Sequence, residues 1–158
     1  MQYTVTFLMW TKDEVLEAYK SFEAWTLMQQ HCKGIKALCS DRGGEYLSKA
    51  FDQHLTAART ACRLTTHDIL QLNGVAECLN CTLLECIWAF THTSSLPKTL
   101  WGKGLRHATW LKNQMATRML DSKMPFEVLF GTPPNLSSLK LWGSPIWVYD
   151  MSGTKLDV

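Results

Sequence analysis

The chain has 158 residues, of which 46% are hydrophobic and 11% aromatic, and its net charge is +2. This length suits one domain with a buried core, and the composition is that of a globular protein. So small a net charge is not that of a strongly basic nucleic-acid-binding domain. No stretch approaches the roughly 20 apolar residues of a membrane span, and no signal sequence precedes the first strand, so we expect an intracellular protein.

The N-terminal quarter predicts a strand followed by a helix. Residues 3–9 alternate apolar side chains with threonine over most of their length, which is typical of a β-strand. Thr11 and Glu14 have the spacing of a capping box, so a helix begins there, and Gly34 is a natural stop. An apolar stripe at helical spacing indicates the buried face of this helix, formed by Val15, Tyr19, Phe22 and Trp25 or Met28.

The next segment alternates strand and helix. Residues 35–39 predict a short buried strand that leads to Asp41, and residues 61–66 predict a weaker strand. Between them, residues 48–59 predict a helix with Phe51 and Leu55 facing inward. This alternation is typical of an α/β sheet.

A loop over residues 67–74 precedes a helix over about residues 75–92. Its two faces differ: Val75, Leu79, Leu83, Ile87 and Phe90 share one, and Glu77, Cys81, Leu84 and Trp88 lie on the other. Glu77 falls in the first turn, where a carboxylate is stabilised by the helix dipole, so helix stabilisation alone would explain it.

The C-terminal third predicts one long helix and a final strand. A helix runs from Pro97 to about Met119, followed by a short helix or turn at 124–130, a loop at 131–135 and a strand at 139–149 interrupted by Gly143. The apolar stripe of the long helix consists of Trp101, Leu105, Ala108, Leu111 and Met115. Basic residues dominate this region, which indicates either a solvated helix face or nucleic-acid contact: Lys98, Lys103, Arg106, Lys112, Arg118 and Lys123.

Two carboxylates and a group of cysteines are the candidates for metal chemistry. Asp41 at a strand end and Glu77 on a later helix are oxygen ligands of the kind that hard divalent cations prefer, although two separate acids also occur on ordinary solvated surfaces. Cys78 and Cys81 form a C-x-x-C, for which only His67 lies at a plausible loop distance as a further zinc ligand. We therefore interpret these cysteines as ordinary helix thiols.

The motifs together resemble the integrase core of copia-type LTR retrotransposons. The matching segments occur in the family's order and at its spacing: residues 40–46, residues 71–77, Leu96-Pro97 with Trp101, and residues 125–127 with Gly131 and Pro134. The resemblance implies a ribonuclease-H-like fold and an Asp, Asp, Glu triad that holds two Mg²⁺ or Mn²⁺ ions for cutting and joining DNA. It places Asp41 at the second Asp and Glu77 at the Glu.

The resemblance also implies an incomplete site and sheet. No residue matches the first Asp, and Asp13, the nearest acid, is explained by helix capping. Residues 3–9 match the third strand of the family, so we expect an α/β ribonuclease-H-like fold that lacks the first two strands. An exposed sheet edge would favour self-association.

The sequence departs from the family where DNA contact matters. Cys78 and Cys81 stand where the family typically has arginine, and Leu70 replaces a proline. Each lost phosphate contact removes roughly 0.9 from the slope of log K against log salt, so DNA binding through this helix should be weak. These replacements fit single C-to-T changes in the coding DNA, which suggests decay.

We therefore expect a remnant of an integrase core over residues 1–120, with a C-terminal extension of the core over 121–158. It should be catalytically inactive, with weak or absent Mg²⁺ or Mn²⁺ binding at Asp41 and Glu77. The candidate DNA contacts are Asn73, Lys98, Lys103, Arg106 and Lys112, and the protein would be nuclear if functional. The alternatives are a non-catalytic nucleic-acid-binding or interaction module, and a decayed fragment without a function.

Overall fold

The computed structural model describes residues 3–29, 34–41, 43–64 and 74–147. These residues form helices around a small parallel sheet. In chain order the elements are α1 (Val15–Met28), β1 (Ala37–Ser40), α2 (Lys49–Ala57), β2 (Ala61–Leu64), α3 (Gly74–Ser94), α4 (Trp101–Gln114) and α5 (Pro125–Phe130). No helix within the described ranges is long and apolar enough to cross a bilayer.

The sheet of the described residues has two parallel strands, β1 and β2. Ala37 pairs with Ala61 and Ser40 with Leu64, and α2 makes the crossover between the strands. Ser48 caps α2, since its hydroxyl accepts the Phe51 backbone N–H at 3.3 Å. These elements confirm the predicted strand, helix, strand order; residues 65 and 66 of the second predicted strand lie outside the described residues.

The start of α1 follows the predicted capping box. The Glu14 carboxylate accepts the Thr11 backbone N–H at 3.3 Å, and the turn Lys12–Glu14 then leads into the helix. α1 ends at Met28, earlier than the predicted stop, although Gly34 does have the left-handed backbone expected of it, with φ +90°. Within the stripe, Tyr19 is buried and Met28 is 74% exposed.

The core consists of two packed groups. Tyr19, Phe51 and Leu55 form a buried cluster against which Ile35 and Leu38 pack. The second group lies where α3 packs on α4, and it contains the buried side chains Leu83, Ile87 and Ala108. The predicted inner face of α3 is therefore confirmed over its middle turns, whereas Val75 is 65% exposed.

The predicted strand at residues 3–9 is wrong, because no neighbouring strand among the described residues pairs with it. The segment is held by α4 instead. The Asn113 side chain accepts the Thr4 backbone N–H at 2.8 Å and donates to the Thr4 carbonyl at 2.8 Å. The Thr6 and Thr109 hydroxyls meet at 3.1 Å.

Two predictions in the C-terminal third are also wrong. The long helix ends at Gln114, because Met115 adopts an extended backbone, and a separate turn follows at Arg118–Leu120. Residues 139–147 have an irregular backbone with one turn at Trp142 and Gly143, and no strand occurs among them. Trp142 packs against Phe90 and His107, with ring centroids 5.8 Å and 5.2 Å apart, so aromatic packing on α3 and α4 holds this segment.

Candidate functional site

Asp41 directly follows β1, as predicted. Its Oδ1 accepts the Gly43 backbone N–H at 3.1 Å, and the chain then turns, with the Tyr46 N–H donating to the Gly43 carbonyl at 3.0 Å. The aspartate side chain is exposed. The glycine-rich motif therefore forms a local turn that presents the carboxylate just beyond the end of the strand.

Burial and the Asp41 carboxylate both affect the pKa of the Tyr46 hydroxyl. Burial raises the pKa of the Tyr46 hydroxyl, and the nearby Asp41 and Glu45 carboxylates raise this pKa further. The Tyr46 ring packs edge-on against Phe51, with centroids 5.6 Å apart. The Asp41 carboxylate is thus near enough to Tyr46, which packs against the first core group, to act on its hydroxyl.

Glu77 lies in the first turn of α3, and its side chain is exposed. Residues 65–73, which precede this helix and include the predicted contact Asn73, lie outside the described residues. Within the described ranges Glu77 makes no hydrogen bond or ion pair, so its position fits both a metal ligand and a dipole-stabilising acid. Its assignment as a ligand stays a prediction.

Asp41 and Glu77 belong to no cluster of metal-ligating side chains among the described residues. Across the described part of the chain, no group of three or more histidine, cysteine, aspartate or glutamate side chains is placed to hold a metal ion. Asp13 lies in the capping turn before α1, where it is exposed. Mg²⁺ requires near-octahedral oxygen coordination, so two exposed carboxylates do not fit a complete site for it.

The cysteines of the C-x-x-C lie on the outer face of α3. Cys78 and Cys81 are exposed free thiols, and Cys86, a turn further along, is a half-buried one. His67, the histidine at a plausible distance for a further zinc ligand, lies outside the described residues.

A cleft of about 770 Å³ separates the two core groups, and sequence reasoning missed it. Residues of the segment 3–9, of α1 and β1, and of α3 line it, among them Phe7, Leu38 and Leu79. Neither Asp41 nor Glu77 is among the residues that line this cleft.

The predicted basic contacts do not form one cluster. Lys103 and Arg106 are exposed and one helical turn apart on α4, and Lys98 is exposed in the turn before it. Lys112, in the last turn of α4, is half-buried. Among the described residues none of these four forms an ion pair.

Trp101 differs from its predicted place in the apolar stripe of α4, since it is 53% exposed. Two further tryptophans lie open nearby, Trp10 at 97% and Trp88 at 74% exposure. The placement of Trp88 on the outer face of α3 followed from helical spacing, but its position beside Trp101 could not be read from the sequence.

The chain is similar to retrovirus-related Pol polyproteins of plant transposons. It is 29% identical over 153 residues, 96% of this chain, to the polyprotein from transposon TNT 1-94 of Nicotiana tabacum. It is also 29% identical to the polyproteins from transposons RE1 and RE2 of Arabidopsis thaliana, over 99% and 90% of this chain. The chain spans only 10% to 11% of the length of these relatives. No protein-family model matches it.

Two solved structures share the fold. The HTLV-2 integrase catalytic core domain, in complex with magnesium and in a trimeric form, aligns over 75% of this chain and 70% of that one, with a TM-score of 0.54 and 18% identity. The simian T-cell lymphotropic virus intasome, in complex with the PP2A regulatory subunit B56 gamma, aligns over 92% of this chain and 46% of that one, with a TM-score of 0.61 and 18% identity. The chain is thus similar over most of its length to copia-type retrotransposon Pol polyproteins, and it has the ribonuclease-H-like fold of integrase catalytic cores.

Proposed function

We propose that this chain is a remnant of a retrotransposon integrase core that does not itself join or cut DNA. The relationship to Pol polyproteins and the fold of integrase cores support the integrase part of this proposal. One observation carries the inactive part: the described residues add no third metal ligand to Asp41 or Glu77, the two acids that the resemblance places in the triad.

Metal binding follows the same reasoning. The magnesium of the HTLV-2 core makes a divalent ion plausible for this family of folds. With two exposed carboxylates, fewer ligand charges offset the dehydration of Mg²⁺, so this chain should bind Mg²⁺ or Mn²⁺ weakly or not at all.

A Mn²⁺-dependent nicking and strand-transfer assay tests this proposal. The purified chain is compared with the double variant Asp41→Asn, Glu77→Gln, which keeps the size of both side chains and removes their charge. We expect neither protein to cut or join DNA. Activity in the natural chain that disappears in the double variant would overturn the proposal, since a third ligand would then have to exist.

The second candidate is a non-catalytic module that contacts nucleic acid. Three exposed cations near the start of α4, Lys98, Lys103 and Arg106, favour it, because none of them forms an ion pair within the described residues. Salt-dependent binding without cleavage is the expected result, and such a role would place the protein in the nucleus. Persistent aggregation of the purified chain, without binding, would favour a decayed fragment instead.

A further inference from the structure

The start of α4 carries exposed aromatic rings as well as cations. Trp101 lines two neighbouring clefts, of about 390 Å³ and about 460 Å³. Trp10, Lys103 and Arg106 line the first of these clefts, and Trp88 and Lys98 line the second. We call these six residues together the Trp101 surface. Each cleft is within the range of small-ligand pockets, about 300 to 1,000 Å³, and so is large enough for a nucleobase.

The charge of this surface is positive. No acidic side chain lines either cleft. Glu14, whose carboxylate accepts the Trp10 backbone N–H at 3.4 Å and the Thr11 N–H at 3.3 Å, is occupied in the capping turn. The Trp101 surface therefore combines exposed indole rings with cations that lack a protein counter-charge among the described residues, and it suits an anionic ligand that carries flat rings.

Single-stranded nucleic acid is the ligand with this chemistry. Proteins bind it by stacking successive bases on aromatic side chains while cations follow the phosphates, and every base has a π-face. In a duplex the base faces are already stacked on one another, so exposed tryptophans would add little to its binding. An acidic peptide would use the cations but would leave the rings without partners.

We propose that the Trp101 surface binds single-stranded nucleic acid, with bases stacked on Trp88 and Trp101 and phosphates held by Lys98, Lys103 and Arg106. This inference rests on the nucleic-acid contact proposed above for the three cations. It adds to that contact the two tryptophans and the requirement for unpaired bases. It does not depend on Asp41, Glu77 or a metal ion.

Fluorescence anisotropy with the full chain tests the proposal. The probes are a labelled oligothymidylate of about 12 nucleotides, within the site sizes known for single-strand binders, and a labelled hairpin duplex of similar length. We expect tighter binding of the single strand. Stacking on one ring corresponds to a change of about five- to 150-fold in Kd, so Trp101→Ala and Trp88→Ala should each weaken binding by at least about fivefold.

Matched variants separate stacking from folding. Trp101→Phe keeps an aromatic ring and should retain most of the affinity, whereas Trp101→Leu should behave like Trp101→Ala. Trp147, which is 98% exposed and lines neither cleft, provides the control Trp147→Ala, for which we expect unchanged binding. Circular dichroism checks that the helix content of every variant equals that of the natural chain.

The cations have their own test. Replacing Lys98, Lys103 and Arg106 together by glutamine should lower the slope of log K against log salt by about 2, at roughly 0.7 for each phosphate of a single strand. The control replaces three exposed lysines elsewhere, Lys36, Lys49 and Lys140, by glutamine and should leave most of the slope unchanged.

Three results would overturn the proposal. The first is duplex binding as tight as that of the single strand. The second is unchanged affinity in Trp88→Ala and Trp101→Ala while the triple cation variant loses binding; in that case the nucleic-acid contact would stand and only the stacking would fail. The third is no binding by the natural chain, together with a sedimentation coefficient that falls in Trp101→Ala. The surface would then be a protein interface, and both the nucleic-acid contact of the three cations and the stacking on the tryptophans would fail.

Discussion

Asn113 does for the segment 3–9 what a neighbouring strand would do. Asn113 is 3% exposed, and its side-chain amide makes two hydrogen bonds to the backbone of Thr4, both at 2.8 Å. Removing it would leave the Thr4 N–H and carbonyl without these partners. Because a buried polar group without a partner costs about 1 to 3 kcal/mol, Asn113→Ala should lower the free energy of unfolding by that amount.

Urea unfolding followed by circular dichroism measures this effect. Asn80 offers a matched control, since it also lies in a helix but is exposed and forms no hydrogen bond within the described residues. Asn80→Ala should leave the stability nearly unchanged. If the two variants unfold at the same urea concentration, Asn113 does not hold the segment.

His107 makes stability depend on pH. Its ring stacks on Trp110 and packs against Trp142, and burial lowers the pKa of the imidazole below 6.5. The unfolded chain therefore binds a proton at a higher pH than the folded chain does. Stability from this group is fully present above about pH 6.5 and is lost as the pH falls from there through the lowered folded pKa.

Urea midpoints at about pH 8 and about pH 5.5 measure the resulting slope. His107→Gln should flatten the dependence, even though it also lowers stability at both pH values by removing ring packing. His92→Gln is the control, because His92 is exposed on α3. An equal slope in the natural chain and in His107→Gln would contradict this interpretation.

Elements whose signals are local were predicted well. The helix predicted over residues 48–59, the Thr11 to Glu14 capping box and the middle turns of the apolar face of α3 each depend on residues within about one or two turns, and the structure confirms all three. The predicted strands at 3–9 and 139–149 failed for a physical reason. Alternation shows that a segment suits a half-buried surface, but a strand also requires a partner, which no local pattern supplies.

Within the candidate site, too, only the features that depend on nearby residues could be predicted from the sequence. The turn that presents Asp41 follows from Gly43 and Gly44 in the sequence, and Glu77 falls in the first turn of α3 as its spacing predicted. The cleft and the Trp101 surface could not be predicted, because they bring together residues that are about 80 to 100 positions apart in the chain. Trp101 itself was predicted to lie in the core. Helical spacing shows which side chains share a face of a helix, but it does not show whether another element covers that face.

The contribution of the α2 cap to stability can be tested by substitution. The Ser48 hydroxyl accepts the Phe51 N–H, and Phe51 is fully buried, so the cap also sets the helix that carries the core. Ser48→Ala should lower the free energy of unfolding by about 0.5 to 2 kcal/mol. Ser21→Ala, at an exposed position within α1, should be neutral or slightly stabilising, because alanine favours a helix interior.

At the scale of the whole molecule, apolar surface is left uncovered where the two core groups face each other. The cleft of about 770 Å³ is lined by Val5, Phe7 and Met9, which are 36%, 40% and 44% exposed. It also borders β1, whose only strand partner among the described residues is β2. An apolar surface next to an open strand edge favours association with another chain.

We therefore expect the chain to self-associate through this cleft, and two leucines of equal exposure can test the location. Leu84 on α3 lines the cleft and is 60% exposed, whereas Leu27 on α1 does not line it and is 61% exposed. A lysine in the cleft would place a charge in the interface, where desolvating it is costly, so Leu84→Lys should shift the chain toward monomer. Leu27→Lys adds the same charge to a helix of the same protein and should leave the association unchanged.

Sedimentation velocity over a range of concentrations, under reducing conditions because of the exposed thiols, measures both variants. An equal shift in both would mean that added charge alone disperses the chain, and that the cleft is not where the copies meet.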